Sequence, residues 1–172
     1  MEDNIIDQII DCELYLEPYY CNNSNDDINN IIIKKLKEKF EGLCYKNGFI
    51  FKDTIELIKK NIGKIEIYNN QSIIKYNIKF NCKMICPSEG DKMDVYINNK
   101  NKMGLISYIK IKDFNIHNFE DRPLIIIIPL EYLNESNYNI NDININQKMN
   151  IEILGKRIKF NSNKIQLVAK IS

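Results

Sequence analysis

This chain of 172 residues has no tryptophan, a single histidine (His117), four prolines and six glycines. With His117 alone and no GxSxG elbow, a Ser–His–acid triad has no support. Neither a GxxxxGKS/T nor a GxGxxG phosphate loop occurs. The five cysteines, Cys12, Cys21, Cys44, Cys82 and Cys86, are odd in number and scattered, which argues against a disulfide framework. No CxxC pair supplies the close ligands of a structural zinc site, so no metal or cofactor is expected. The cysteines read instead as small apolar side chains of a core, with Cys82 and Cys86 four apart on one predicted strand.

No run approaches the roughly 18 apolar residues of a membrane span, and Leu124 to Ile128 is only strand length. The opening Met1-Glu2-Asp3-Asn4 is acidic and unlike a secretory signal, so a soluble intracellular protein without a membrane partner is expected. Charge of either sign is not in excess: 24 Lys and Arg face 23 Asp and Glu. Any attraction to nucleic acid must therefore come from a local patch. Ala, Arg and Trp are nearly or wholly missing, while Asn, Ile and Lys abound, the signature of AT-rich codons.

Hydrophobic spacing predicts an α+β protein in two parts. Ile9 to Leu16 reads as a strand stopped near Pro18. A helix follows, capped by Ser24 or Asn25, with Asp26 and Asp27 in its first turn. Ile28, Ile31, Ile32, Leu36 and Phe40 repeat at helical spacing, and Gly42 stands where a helix ends. Lys34, Lys35, Lys37 and Lys39 form a solvent face. A tight turn at Lys46-Asn47-Gly48 joins two short strands, and Asn69-Asn70-Gln71 joins two longer ones. Pro87 breaks the pattern, so domains of 1–86 and 87–172 are expected.

In the second part, Met93, Val95 and Ile97 alternate with Asp94 and Tyr96. A second strand begins at Lys102, with Gly104 permitting close backbone approach. Leu124 to Ile128, Met149 to Ile153 and Ile165 to Ile171 complete five strands, which predict an OB-type five-stranded β-barrel. The stretch Asn134 to Asn146 reads as a surface insertion. The carboxylate pairs Asp91 with Asp94 and Glu120 with Asp121 read as solvated turn residues rather than an acid–base couple. Lys102, Tyr108, Lys110, Lys156, Arg157 and Lys159 are the candidate RNA contacts, rings for stacking and cations for phosphates.

Several segments together resemble one family. Leu16-Glu17-Pro18 closes the first strand. Lys35 to Phe49 (KLKEKFEGLCYKNGF) gives a helix end, a strand and a Gly-aromatic turn. Ile58 to Gly63 is a loop, Tyr76 to Met84 a long strand, Gly90 to Ile109 the barrel's opening, and Met149 to Arg157 (MNIEILGKR) a late strand. In this order they resemble the stalk subunit of multisubunit DNA-dependent RNA polymerases, the seventh subunit of eukaryotic polymerase II and its archaeal counterpart. The resemblance implies an N-terminal ribonucleoprotein-like tip domain before the barrel, and a non-catalytic polymerase subunit. It implies contact with the largest subunits near the clamp, a small core subunit at the stalk base, a second stalk subunit and nascent single-stranded RNA. By position, Tyr45, Lys46, Asn47, Gly48 and Phe49, with Ile58, Lys59, Lys60, Asn61, Ile62 and Gly63, would dock on the core. With the AT-rich composition it also implies a divergent large-DNA-virus member, acting in host cytoplasm and virion; a cellular member would act in the nucleus. A free-standing RNA-binding barrel protein of translation or RNA decay is the alternative.

Overall fold

Asp27 opens the main helix. Its carboxylate accepts the Asn29 N–H at 3.2 Å, just ahead of α2 (Ile28–Phe40). An anion there meets unpaired N–H groups and the positive end of the helix. The cap is thus Asp27, which was expected inside the first turn. Ser24, Asn25 and Asp26 lie outside the residues described by this computed structural model, which are 5–22, 27–111, 122–135 and 138–172. Ile31, Ile32, Leu36 and Phe40 are buried, and burying each such side chain contributes about 1.5–3 kcal/mol. The Phe40 ring meets Phe80 with centroids 5.3 Å apart, which fixes the helix against the sheet. Lys37 and Lys39 occupy the last turn, and Lys37 pairs with Asp53 at 3.0 Å.

That sheet is built along one long strand, β6 (Gln71–Ile85), in which Tyr76, Ile78, Phe80, Cys82 and Met84 are buried at every second position. Ahead of α2 come β1 (Ile5–Leu16) and a single helical turn, α1 (Tyr19–Asn22). After α2 come β2 (Cys44–Tyr45), β3 (Gly48–Ile50), β4 (Glu56–Lys60) and β5 (Lys64–Tyr68). The sheet order is β1-β6-β3-β2, and β4 and β5 also pair with β6. Asn69 and Asn70 turn β5 into β6 with φ of 50° and 61°, the mirror-image geometry that suits a twisted hairpin.

Two expectations are corrected here. The tight turn of the β2–β3 hairpin is Lys46-Asn47: Tyr45 already pairs with Gly48, and Lys46 takes the left-handed conformation at φ 51°. Ile58, Lys59 and Lys60 are not loop but the end of β4, paired with β6 through a register shift between Leu57 and Lys59. Only Asn61, Ile62 and Gly63 connect β4 to β5.

The remaining strands are β7 (Lys92–Asn101), β8 (Gly104–Tyr108), β9 (Leu124–Pro129), β10 (Lys148–Arg157) and β11 (Ile165–Ile171). They close a five-stranded barrel in the order β10-β11-β9-β8-β7, with β7 pairing back onto β10. The β9–β11 pair is parallel, and the other pairs are antiparallel. Val95, Ile97, Leu105, Leu124, Ile126, Ile128, Ile151, Ile153, Ile165, Leu167 and Ala169 fill the interior. Ser107, the buried polar side chain among them, donates its hydroxyl to the Ile126 carbonyl at 3.2 Å, so no unpaired group is left there. At Gly104, φ is 139° and a Cβ would strike the Ile128 carbonyl oxygen, the close approach expected from sequence. A short helix, α3 (Leu130–Glu135), follows β9 and buries Leu133. Within the Asn-rich stretch, the Ile143 carbonyl accepts from Lys100 Nζ at 3.0 Å, and Ile143 is buried.

The chain divides into two compact units. One holds Ile6–Glu41 with Ile50–Met84. The other holds Gly42–Phe49 with Ile85–Ser172, and Ile5. The β2 segment is therefore grouped with the barrel.

Candidate nucleic-acid interface

Strand register sorts the six candidate RNA contacts to different parts of the barrel. Lys102 is exposed in the β7–β8 turn, beside the Asn101–Gly104 pair. Arg157 ends β10, opposite Gln166. Lys92 at the start of β7 pairs with Glu152, while Tyr96 pairs with Lys148. The β7–β8 turn and the end of β10 therefore lie at opposite ends of the barrel, and Lys102 does not join the others.

Tyr108 is only 4% exposed. It pairs across strands with Tyr96, their ring centroids 5.9 Å apart and nearly parallel. Arg122 covers the Tyr108 ring, with Cζ 3.4 Å from its centroid, and the phenol donates to Asn146 Oδ1 at 3.1 Å. Lys110 lies over Tyr96, with Nζ 3.9 Å from the centroid. The expectation of an open stacking ring at Tyr108 is corrected: the arrangement is a cation–π cluster closed on itself. Lys156 is exposed, and its Nζ donates to the Pro87 carbonyl at 3.0 Å, which holds the segment that enters the barrel.

Arg157 and Lys159 are brought together, and with residues that the sequence alone did not single out. They line a cleft of about 180 Å³ with Lys164, Asn163, Gln166 and Ile125. Among the described residues, no carboxylate contributes to its walls. The loop from β10 to β11 that forms one wall is held by β2: the Cys44 N–H donates to Ser162 O at 2.6 Å, and the Asn161 N–H to Cys44 O at 3.1 Å. Next along this ladder, the Tyr45 and Phe160 rings meet with centroids 6.0 Å apart, and Lys46 Nζ lies 5.5 Å from the Tyr45 centroid. Phe160 itself is 69% exposed. A legible signal did point here. Residues 153–172 contain Lys156, Arg157, Lys159, Lys164 and Lys170 and no Asp or Glu, in a chain whose net charge is +1.

The residues expected to dock on a polymerase core divide between the two units. Of Tyr45 to Phe49, Lys46 and Asn47 are exposed, whereas Gly48 and Phe49 are buried in strand pairing. In the other unit, Ile58 and Lys59 are exposed on β4, and Ile62 is 91% exposed. Asn61 is pinned, its side chain accepting the Asn77 N–H at 2.8 Å. An open groove of about 410 Å³ in that unit is lined by charges of both signs, Asp11 and Glu13 against Lys59 and Lys79. Lys79 already pairs with Asp11 at 3.5 Å and Lys75 with Glu13 at 2.7 Å, so the groove carries little field of its own.

Asp91 and Asp94, read from sequence as solvated turn residues rather than an acid–base couple, have separate tasks. Asp91 accepts the Ser88 N–H at 2.8 Å. Asp94 pairs with Lys148 at 2.8 Å and accepts from Asn150 at 3.0 Å, bonds that together hold its carboxyl below the usual range. Glu120, Asp121 and His117 lie outside the described residues. Cys44 and Cys82 are buried as expected, and burial pushes the Cys44 thiol up to about 11. Cys86 falls one residue beyond β6 rather than on it. Among the described residues no cluster of His, Cys, Asp and Glu could hold a metal ion, and no helix is long and apolar enough to cross a membrane.

No protein-family model matches the chain, and no curated protein matches it in sequence.

Proposed function

We propose that this chain is a non-catalytic stalk subunit of a DNA-dependent RNA polymerase, docked on the core through exposed residues around Lys46 and around Ile62 and touching nascent transcript with its barrel. The observation that carries the reading is the coincidence of two things in one chain. The segments Leu16 to Pro18, Lys35 to Phe49, Tyr76 to Met84, Gly90 to Ile109 and Met149 to Arg157 follow the order of that family. They fall on a strand–helix–sheet unit and on a closed five-stranded barrel. The first is read as the ribonucleoprotein-like tip, and the second as an OB-type barrel, whose mixed pairing and out-of-sequence β11 suit a Greek-key path. The exposed Lys46, Asn47, Ile58, Lys59 and Ile62 are the contacts to the large subunits. The cationic end of the barrel faces the transcript, as a chain of net charge +1 requires of a local patch.

Affinity purification of the tagged full chain from its own cells or infected host tests this. Recovery of the two largest polymerase subunits is expected, and their absence would overturn the proposal. One observation favours the alternative of a free-standing RNA-binding barrel protein: the cationic cleft and the clamp on its loop all belong to one unit. RNA binding without polymerase in the purified material would select that reading.

A further inference from the structure

The loop between β10 and β11 is built to hold an aromatic ring in water. Ser162 N–H donates to Lys159 O at 3.0 Å, closing a tight turn with Phe160 and Asn161 at its apex. Asn161 takes φ 58°, a conformation that asparagine tolerates. The turn is then fixed on two sides. Cys44, fully buried, exchanges both backbone hydrogen bonds with Asn161 and Ser162. On the other side the Ser162 hydroxyl donates to Lys164 O at 2.9 Å and accepts the Lys164 N–H at 3.2 Å. Tyr45 lies against the Phe160 ring at an interplanar angle of 54° and leaves it 69% exposed. An exposed aromatic ring beside a cationic cleft is the pairing that single-stranded nucleic acid sites use, a face for a base and charge for the backbone.

The turn also supplies Lys159 and Ser162 to the wall of the adjoining cleft. Its volume of about 180 Å³ lies below the roughly 300–1,000 Å³ of small-molecule sites. It therefore suits a phosphate group, with the remainder of the ligand outside. Arg157 offers a planar fork of donors, Lys159 and Lys164 offer point charges, and Asn163 and Gln166 offer neutral hydrogen bonds.

We infer that Phe160 is a preformed stacking post for one base of a single-stranded RNA, whose adjacent phosphodiester sits in the Arg157–Lys159–Lys164 cleft. The identity of the strand as RNA rests on the transcript-contacting reading above; the site itself does not. This moves the principal contact from the closed Tyr96–Tyr108 pair to the β10–β11 loop, and it gives β2 a task as the brace of that loop.

The absence of tryptophan makes a direct test available. Phe160→Trp places a single indole at the site, and its emission should be quenched when a 12-mer RNA is titrated into the full chain. By fluorescence anisotropy with the same labelled RNA, Phe160→Ala should weaken binding roughly 5- to 100-fold with the salt dependence unchanged. Arg157→Gln with Lys164→Gln should weaken binding and shrink the slope of log K against log salt by roughly 1 to 2. Lys102→Gln, at the far end of the barrel, should change nothing. Circular dichroism melts confirm that each variant folds. RNA that binds without quenching the introduced indole, or that binds Phe160→Ala as tightly as the parent, would overturn the proposal, as would no RNA binding at all. Complete displacement by low-millimolar inorganic phosphate would reassign the cleft to a free anion and also overturn it. Equal binding of a 12-mer DNA would overturn the assignment to RNA. Quenching in a protein that captures no polymerase subunits would uphold the post and overturn only the stalk reading.

Discussion

Three glycines of the barrel unit differ in backbone conformation and in what a methyl group would meet, and they turn the fold into a graded stability test. At Gly104, φ of 139° is a conformation that L side chains rarely adopt, and the added Cβ would run into the Ile128 carbonyl oxygen. The conformational part costs about 1–2 kcal/mol, judged from the left-handed penalty. Forcing a methyl against packed backbone costs about 1–3 kcal/mol more. Gly104→Ala is therefore expected to lose about 2–5 kcal/mol. At Gly90, φ is 85° but no atom lies within 4 Å, so Gly90→Ala should lose only about 1–2 kcal/mol. At Gly155 neither obstacle exists, and Gly155→Ala should gain about 0.5–1 kcal/mol by restricting the unfolded chain. Urea unfolding followed by far-ultraviolet circular dichroism measures all three. For a chain of this size the Gly104 loss corresponds to a melting shift of roughly 5–15 °C. A Gly104→Ala variant no less stable than Gly90→Ala would refute the placement of β8 against β9, because the collision with Ile128 is what separates the two.

Three other outcomes follow from the side chains. The Lys148 bond, and after it the Asn150 bond, keep Asp94 ionised below the ordinary carboxylate range, so its stabilisation is present above that range and fades as pH falls through the lowered value. Asp94→Asn should flatten the dependence of the urea midpoint on pH between neutrality and about pH 3, and an unchanged dependence would refute the pairing. Burial raises the Cys44 thiol to about 11, so stability is intact below the usual thiol range and declines as pH climbs toward that value. In the native protein at pH 8, maleimide labelling followed by peptide mass mapping should leave Cys44 unmodified. Ile65 and Ile67 are 75% and 79% exposed on β5, so Ile65→Lys with Ile67→Lys should leave stability within about 0.5 kcal/mol per site while lowering light scattering on concentration. A larger loss would mean that β5 is packed against something.

Where burial is one-sided, the sequence carries the answer. Val95, Ile97, Leu167 and Ala169 alternate because one face fills the barrel, and the same period predicted their strands. The helix was equally plain, since its four buried residues recur at helical spacing. Ile58 to Lys60 was assigned to a loop by resemblance, and periodicity offered no correction, because β4 lies on a sheet edge with a register shift and no buried face to impose a period. The parallel pairing of β9 with β11 left no local trace, because it is decided by which strands remain to close the barrel. The cover over Tyr108 is not legible in the sequence, because spacing tells the side of a strand and not what lies on it; Arg122 is fourteen positions away. The cationic cleft was half legible. Its charge is concentrated in the last twenty residues, but its neighbour Phe160 becomes notable only once Cys44 is found holding the turn beneath it.

The bonds between Cys44 and the Asn161–Ser162 turn join points roughly 120 residues apart, so during synthesis at about 5–20 residues per second β2 waits several seconds for its partner. Its backbone groups must stay solvated until the last strands emerge. The barrel unit thus matures last, and a ribosome-bound chain lacking its final 20 residues should be protease-sensitive at 42–49. Cutting the gene at codon 86 would not liberate a whole barrel unit, because a segment encoded upstream of the cut belongs to it.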